Sequence, residues 1–115
     1  MDVKQVAVIG AGIMGRGIAH IAAQAGYQVA LQDISEAILD KAYGLIQSEL
    51  QKGISLGKVD EGTMRATLAR LRLETDLGQA AAGADLAIEA VPEDIALKCR
   101  VFTELDSAAP AHAVL

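Results

Sequence analysis

The sequence predicts an α/β fold: a doubly wound, mostly parallel sheet with helices on both faces. Three observations predict it. Short runs of Val, Ile, Leu and Ala alternate with longer stretches of helical periodicity. The apolar runs are nearly continuous, as in strands covered on both faces. Hydrophobic residues make up 52% of the chain but aromatic residues only 3%. Small aliphatic side chains must therefore build the core, and they suit close packing of helices on a sheet.

The elements follow in order. "VKQVAVIG" is a buried strand stopped by glycine. Residues 13–25 form a helix, with Met14, Ile18, Ile21, Ala22 and Ala25 as its apolar stripe and Gly26 as its stop. "YQVALQD", residues 27–33, is the second strand. Ser35 caps a long helix that runs to about residue 52, and Glu36 in its first turn complements the helix dipole. Its stripe is Ile38, Leu39, Ala42, Leu45, Ile46 and Leu50. "GISLG" breaks it, and Asp60 caps a further helix through Met64 and Leu68 to about residue 70. "LRLET" is the third strand, "LGQAAAGA" a short helix ending near Gly83, and "DLAIEAV", residues 85–91, the fourth strand. Pro92 opens another helix, with Leu97, Val101, Phe102 and Leu105 as its stripe. The final "AVL" reads as the start of a fifth strand, so the sheet is expected to be C-terminally truncated.

Composition narrows the function classes. A length of 115 residues fits one domain. The net charge of −5 argues against nucleic acid or an anionic membrane as the main partner. The single cysteine, Cys99, leaves no internal disulfide framework and fits a reducing compartment. The apolar run from Val6 is interrupted by glycines and Arg16, well short of the roughly 18–20 apolar residues of a membrane span. It is also unlike a secretion signal. A cytoplasmic protein is expected. No internal repeat, low-complexity segment or metal-ligand spacing such as C-x-x-C or H-E-x-x-H occurs.

The chemistry concentrates in "VAVIGAGIMGRGIAH". Gly10, Gly12 and Gly15 have the spacing G-x-G-x-x-G, with a strand before, a helix after and an acid downstream. Gly10 permits the tight turn. Gly12 lets a pyrophosphate approach the backbone, and Gly15 lets the helix pack on the first strand. The helix N-terminus then offers unpaired N–H groups to the phosphates. Asp33 closes the second strand about 20 residues beyond the glycines, where a carboxylate accepts hydrogen bonds from the adenosine ribose. Such bonds contribute roughly 1.5–3 kcal/mol each. The same carboxylate repels a 2′-phosphate, and no arginine follows at Ile34 or Ser35, so NAD is preferred to NADP. A flavin uses the same fingerprint. The plainer reading is of turn glycines and a surface aspartate.

These stretches resemble the 3-hydroxyacyl-CoA dehydrogenases, including 3-hydroxybutyryl-CoA dehydrogenases, in their N-terminal NAD-binding part. The resemblance is carried by "VAVIGAGIMGRGIAHIAAQAGYQVALQDIS", by the long helix hairpin over residues 35–70, and by "DLAIEAVPEDIALK". Together they cover nearly the whole chain. The resemblance implies a Rossmann-type domain that binds NAD, within an enzyme that interconverts 3-hydroxyacyl-CoA and 3-oxoacyl-CoA. Gly10, Gly12 and Gly15, with the backbone at Ile13 and Met14, would line the pyrophosphate. Asp33 would take the adenosine ribose. Ala90 and Val91 would wall the cleft. Glu93 and Lys98 would stand beside the ribose and phosphate on the nicotinamide side; read alone, they are ordinary first-turn helix charges. The hairpin would help hold the CoA portion of an acyl-CoA substrate. Lys52 and Lys58 are candidates for that contact, though read alone they are solvated lysines.

The family's histidine, with its orienting glutamate, and the serine and asparagine that assist the substrate would lie beyond residue 115. So would a helical domain that completes the substrate cleft and forms most of a homodimer interface. No catalytic residue is therefore expected in this chain. His20 reads as flanking the sheet or facing solvent, His112 as part of a terminal turn, and Cys99 as a structural or surface thiol. The 115 residues are expected to bind NAD weakly without turning over substrate. The alternatives are the cofactor domain of another NAD-dependent hydroxyacid or sugar dehydrogenase, or a noncatalytic nucleotide-binding module.

Overall fold

A computed structural model of the chain describes residues 3–90. Within them the order is β1 (Gln5–Ile9), α1 (Ile13–Ala25), β2 (Gln28–Gln32), α2 (Glu36–Ser55), α3 (Glu61–Arg70), β3 (Leu71–Glu74), α4 (Leu77–Ala81) and β4 (Leu86–Glu89). The expected helix after Pro92 and the fifth strand lie outside the described residues.

The four strands form one sheet in the order β3-β2-β1-β4. Every pairing is parallel, with Val8 opposite Leu31 on one side and Ile88 on the other. The chain moves outward from β1 to β2 and β3, then returns across β1 to β4. That reversal leaves a crevice at the carboxyl ends of β1 and β4, where open α/β sheets bind ligands.

Side chains alternate across the pleat, and β1 feeds two cores. Val6 and Val8 face α1 and α2, meeting Ala19, Ala23, Leu39 and Ala42. Ala7 and Ile9 face α4, meeting Leu77, Ala80, Ala81 and Ala87. This two-sided burial explains why the strands read as continuous apolar runs. Asp85 secures the opposite edge of the sheet: one of its carboxylate oxygens accepts the Lys4 and Gln5 N–H groups at 2.9 and 3.0 Å.

Two details differ from the sequence-based expectation. Helix α1 buries Gly15, Ala19 and Ala23, not the predicted large stripe. Met14 and Ile21 are exposed, while Ile18 and Ala22 pack at the margin of the core. Close approach of the helix to β1 requires its smallest residues at the contact, and this rotates the larger aliphatics outward. Helix α2 runs to Ser55, past Gly53. A Cβ at Gly53 would lie 2.9 Å from a methyl carbon of Val59. The glycine thus gives room to the returning chain, and the helix turns out at Gly57 instead. On the buried face of α2 are Leu39, Ala42, Ile46 and Leu50, whereas Ile38 is exposed. Among the described residues, no helix is long and apolar enough to cross a membrane.

Candidate functional site

The turn between β1 and α1 lies at the crevice. Gly10 has φ +101°, a conformation that favours glycine. Its N–H donates to the Gln32 carbonyl at 2.7 Å, tying the turn to β2. A Cβ at Gly15 would collide with the Gly10 carbonyl oxygen and lie 2.8 Å from its carbonyl carbon. Gly10 and Gly15 are therefore required by the protein's own packing.

Gly12 is different. Its φ of −72° is open to any residue, and a Cβ there would meet no atom of the described residues within 4 Å. Among the described residues, neither backbone nor neighbours call for a glycine, which leaves room for a ligand to approach.

Gly12 is also the N-cap of α1, and no side chain caps that helix. The other three described helices are capped. Ser35 Oγ accepts the Ile38 N–H at 3.3 Å, Asp60 the Thr63 N–H at 2.7 Å, and Asp76 the Gln79 N–H at 3.0 Å. Nor does the first turn of α1 hold an acidic residue, whereas Glu36 and Glu61 occupy those of α2 and α3. The first amides of α1, at Ile13 and Met14 among others, and the positive end of its dipole thus remain available to an anion. Both side chains are strongly exposed, 81% for Ile13 and 69% for Met14.

Asp33 follows β2 directly and is half-buried. One carboxylate oxygen accepts the Ala11 N–H at 3.1 Å, and the other accepts the Ser35 N–H at 3.0 Å. Its own N–H donates to the Glu74 carbonyl at 3.2 Å. The acid and the glycine turn therefore form one connected unit. Ala90 joins them: its N–H donates to the Ile9 carbonyl at 2.7 Å, and its Cβ lies 3.5 Å from the position a Cβ at Gly15 would take. The structure thus brings together Gly10, Gly12, Ile13, Met14, Gly15, Asp33 and Ala90. Val91, Glu93, Lys98, Cys99 and His112 lie outside the described residues.

Gln32 was missed as a site residue. It is almost fully buried at the end of β2. Its carbonyl receives Gly10, and its side-chain amide donates to the Thr75 carbonyl at 3.0 Å. A polar residue closing a buried strand just before the acid was the available signal. His20 pairs with Gln24 at 3.0 Å along α1, away from the turn. Lys52 and Lys58 are exposed at the far end of the hairpin. A cavity of about 250 Å³, lined by Gln5, Gln28, Arg70, Arg72 and Ala84 among others, opens at the amino ends of the strands, opposite the glycine turn. No group of His, Cys, Asp and Glu among the described residues could hold a metal ion.

Comparison with known proteins agrees with this geometry. The family described as "3-hydroxyacyl-CoA dehydrogenase, NAD binding domain" matches residues 5–115. The chain is 42% identical over its whole length to the 3-hydroxyadipyl-CoA dehydrogenase of Escherichia coli K12, and spans 24% of that protein. It is 39% identical over 104 residues to the 3-hydroxybutyryl-CoA dehydrogenase of Mycobacterium tuberculosis, covering 90% of this chain and 36% of the relative. The crystal structure of an E. coli 3-hydroxybutyryl-CoA dehydrogenase superimposes with a TM-score of 0.93 at 41% identity, covering 98% of this chain and 24% of that one. That of M. tuberculosis FadB2 gives 0.94 at 38% identity, covering 100% of this chain and 40% of that one. The matched residues span the glycine turn, Asp33 and all four described strands, and the chain belongs to the 3-hydroxyacyl-CoA dehydrogenase family, as its NAD-binding domain.

Proposed function

We propose that this chain supplies the NAD site of an enzyme that oxidises 3-hydroxyacyl-CoA to 3-oxoacyl-CoA. The observation that carries the site is the uncapped start of α1 at Gly12, beside space that no atom of the described residues fills. Bound here, NAD would supply the acceptor for the hydride that leaves C3 of the substrate. The amides from Gly12 to Gly15 hold its pyrophosphate, and Asp33 accepts hydrogen bonds from its adenosine ribose. Each Asp33 oxygen already takes one backbone N–H, and a carboxylate oxygen has a second lone pair to offer. The resemblance to the family assigns the wall of the cleft to Ala90 and Val91, and the nicotinamide side to Glu93 and Lys98.

Acyl-CoA chemistry is proposed on the strength of the relatives' names. The chain spans about a quarter to two fifths of the curated relatives it matches first. Among the described residues, His20 is engaged with Gln24 away from the glycine turn, and the remaining lone pairs of Asp33 are assigned to the ribose. The 115 residues are expected to bind NAD without turnover. A cytoplasmic setting is proposed, in keeping with a lone cysteine.

Calorimetric titration tests the cofactor assignment. NAD should bind more than about tenfold tighter than NADP, because a 2′-phosphate would lose the charge-assisted bonds to Asp33. Equal affinities would overturn the role given to Asp33. Oxidation of 3-hydroxybutyryl-CoA by these 115 residues alone would overturn the assignment of the proton-accepting group to another part of the enzyme.

A further inference from the structure

We propose that Asp33 is also a positioning residue, one that holds the glycine turn in its phosphate-binding shape before any ribose arrives. The inference rests on reading that turn as the pyrophosphate site. Ala11 lies between Gly10 and Gly12 and is 3% exposed. Its N–H points not to β1 but across to the Asp33 carboxylate, 22 residues further along the chain. The neighbouring Gly10 N–H points the same way, to the Gln32 carbonyl. Two successive amides of the turn are thus held by the end of β2. The opposite oxygen of Asp33 is anchored by Ser35 N–H, so the brace is itself held at its far side.

The turn needs such a brace. Gly10 and Gly12 flank Ala11, and glycine leaves the backbone many conformations to lose on binding. With Gly10 and Ala11 both directed at β2, the amides that follow can start α1 and remain open to a ligand. Preorganisation of this kind strengthens binding without any contact to the ligand. It also reverses a sign. A carboxylate near a phosphate site disfavours the anion by charge alone. Removal of Asp33 should therefore tighten the binding of a ribose-free anion if charge is its only influence, and weaken it if the carboxylate braces the turn.

Inorganic pyrophosphate is the probe, because it has no ribose. Its binding can be followed by NMR through the amide shifts of Gly12 to Gly15. In the unsubstituted protein these shifts should saturate. Asp33→Ala should raise the pyrophosphate dissociation constant about threefold or more, despite the lost negative charge. Asp33→Asn keeps one oxygen acceptor and should bind better than Asp33→Ala. Exchange of the Ala11 amide with solvent should accelerate in both variants, by about tenfold in the alanine variant, the equivalent of one charge-assisted bond. Tighter or unchanged pyrophosphate binding in Asp33→Ala overturns the inference. If that variant does not fold, unchanged Ala11 exchange in Asp33→Asn overturns it instead. Absence of any shift in the unsubstituted protein overturns the underlying phosphate reading, a failure visible before any variant is made.

Discussion

A methyl group added at Gly15 would have to displace the Gly10 carbonyl, whereas one added at Gly12 would meet no atom of the described residues. The two glycines of one motif therefore answer to different constraints, and substitution separates them. Gly15→Ala forces backbone against backbone and should cost at least about 2–3 kcal/mol of stability. Gly12→Ala should change stability by no more than about 0.5 kcal/mol, since its backbone suits alanine, yet weaken NAD by more than about tenfold. Urea denaturation with a parallel NAD titration checks both. A stable Gly15→Ala, or a Gly12→Ala that binds NAD normally, would refute the corresponding half. The spacing of these residues was legible because the turn is local. The partners of Asp33 were not, because Ala11 reaches it only once β1 and β2 lie side by side.

Helix boundaries were legible where their signals are local. Ser35 and Asp60 cap as their side chains allow, and Gly26, at φ +112°, ends α1. The rotation of α1 was hidden, since it is set by the contact of Gly15 with Gly10. Gly44 offers a test at this scale. It is exposed within α2, and a Cβ there would meet nothing within 4 Å. Gly44→Ala should stabilise the protein by roughly 0.5–1 kcal/mol, read as a raised urea midpoint. Asp60 makes the start of α3 sensitive to acid. The Thr63 backbone N–H, then its side chain, holds the carboxyl below its usual 3.8. A folded value below the unfolded one means the cap stabilises α3 fully above pH 3.8. That contribution is lost as pH falls through the lower folded value. Thermal unfolding between about pH 5 and pH 2 should show this acid-sensitive component reduced in Asp60→Asn, which cannot ionise.

Distant parts of the chain are joined by a few polar groups that sequence reading could not pair. Asp85 meets Lys4 and Gln5. Arg70, at the end of α3, donates through Nη1 to the Ala23 carbonyl at 2.9 Å. There a guanidinium adds a second bond to a carbonyl that already takes the Gly26 N–H at 3.2 Å, at the negative end of α1. This bond ties the hairpin to the helix that begins at the glycine turn. Arg70→Met keeps much of the packing and removes the donor, and should cost about 1–2 kcal/mol in denaturant unfolding. No loss would mean that apolar contact alone holds the hairpin.

The central position of β1 has a consequence for how the protein is made. Of the four described strands β1 is made first, and it gains its second neighbour only when β4 emerges. The Ile9 carbonyl waits for the amide of Ala90, so the wall of the crevice is closed by the most distant sequence among the described strands. A nascent chain lacking residues 86–90 has its glycine turn but no completed cleft. Completion of the crevice is thus coupled to synthesis through β4, and parallel pairings of such long sequence separation make that closure a slow event in folding.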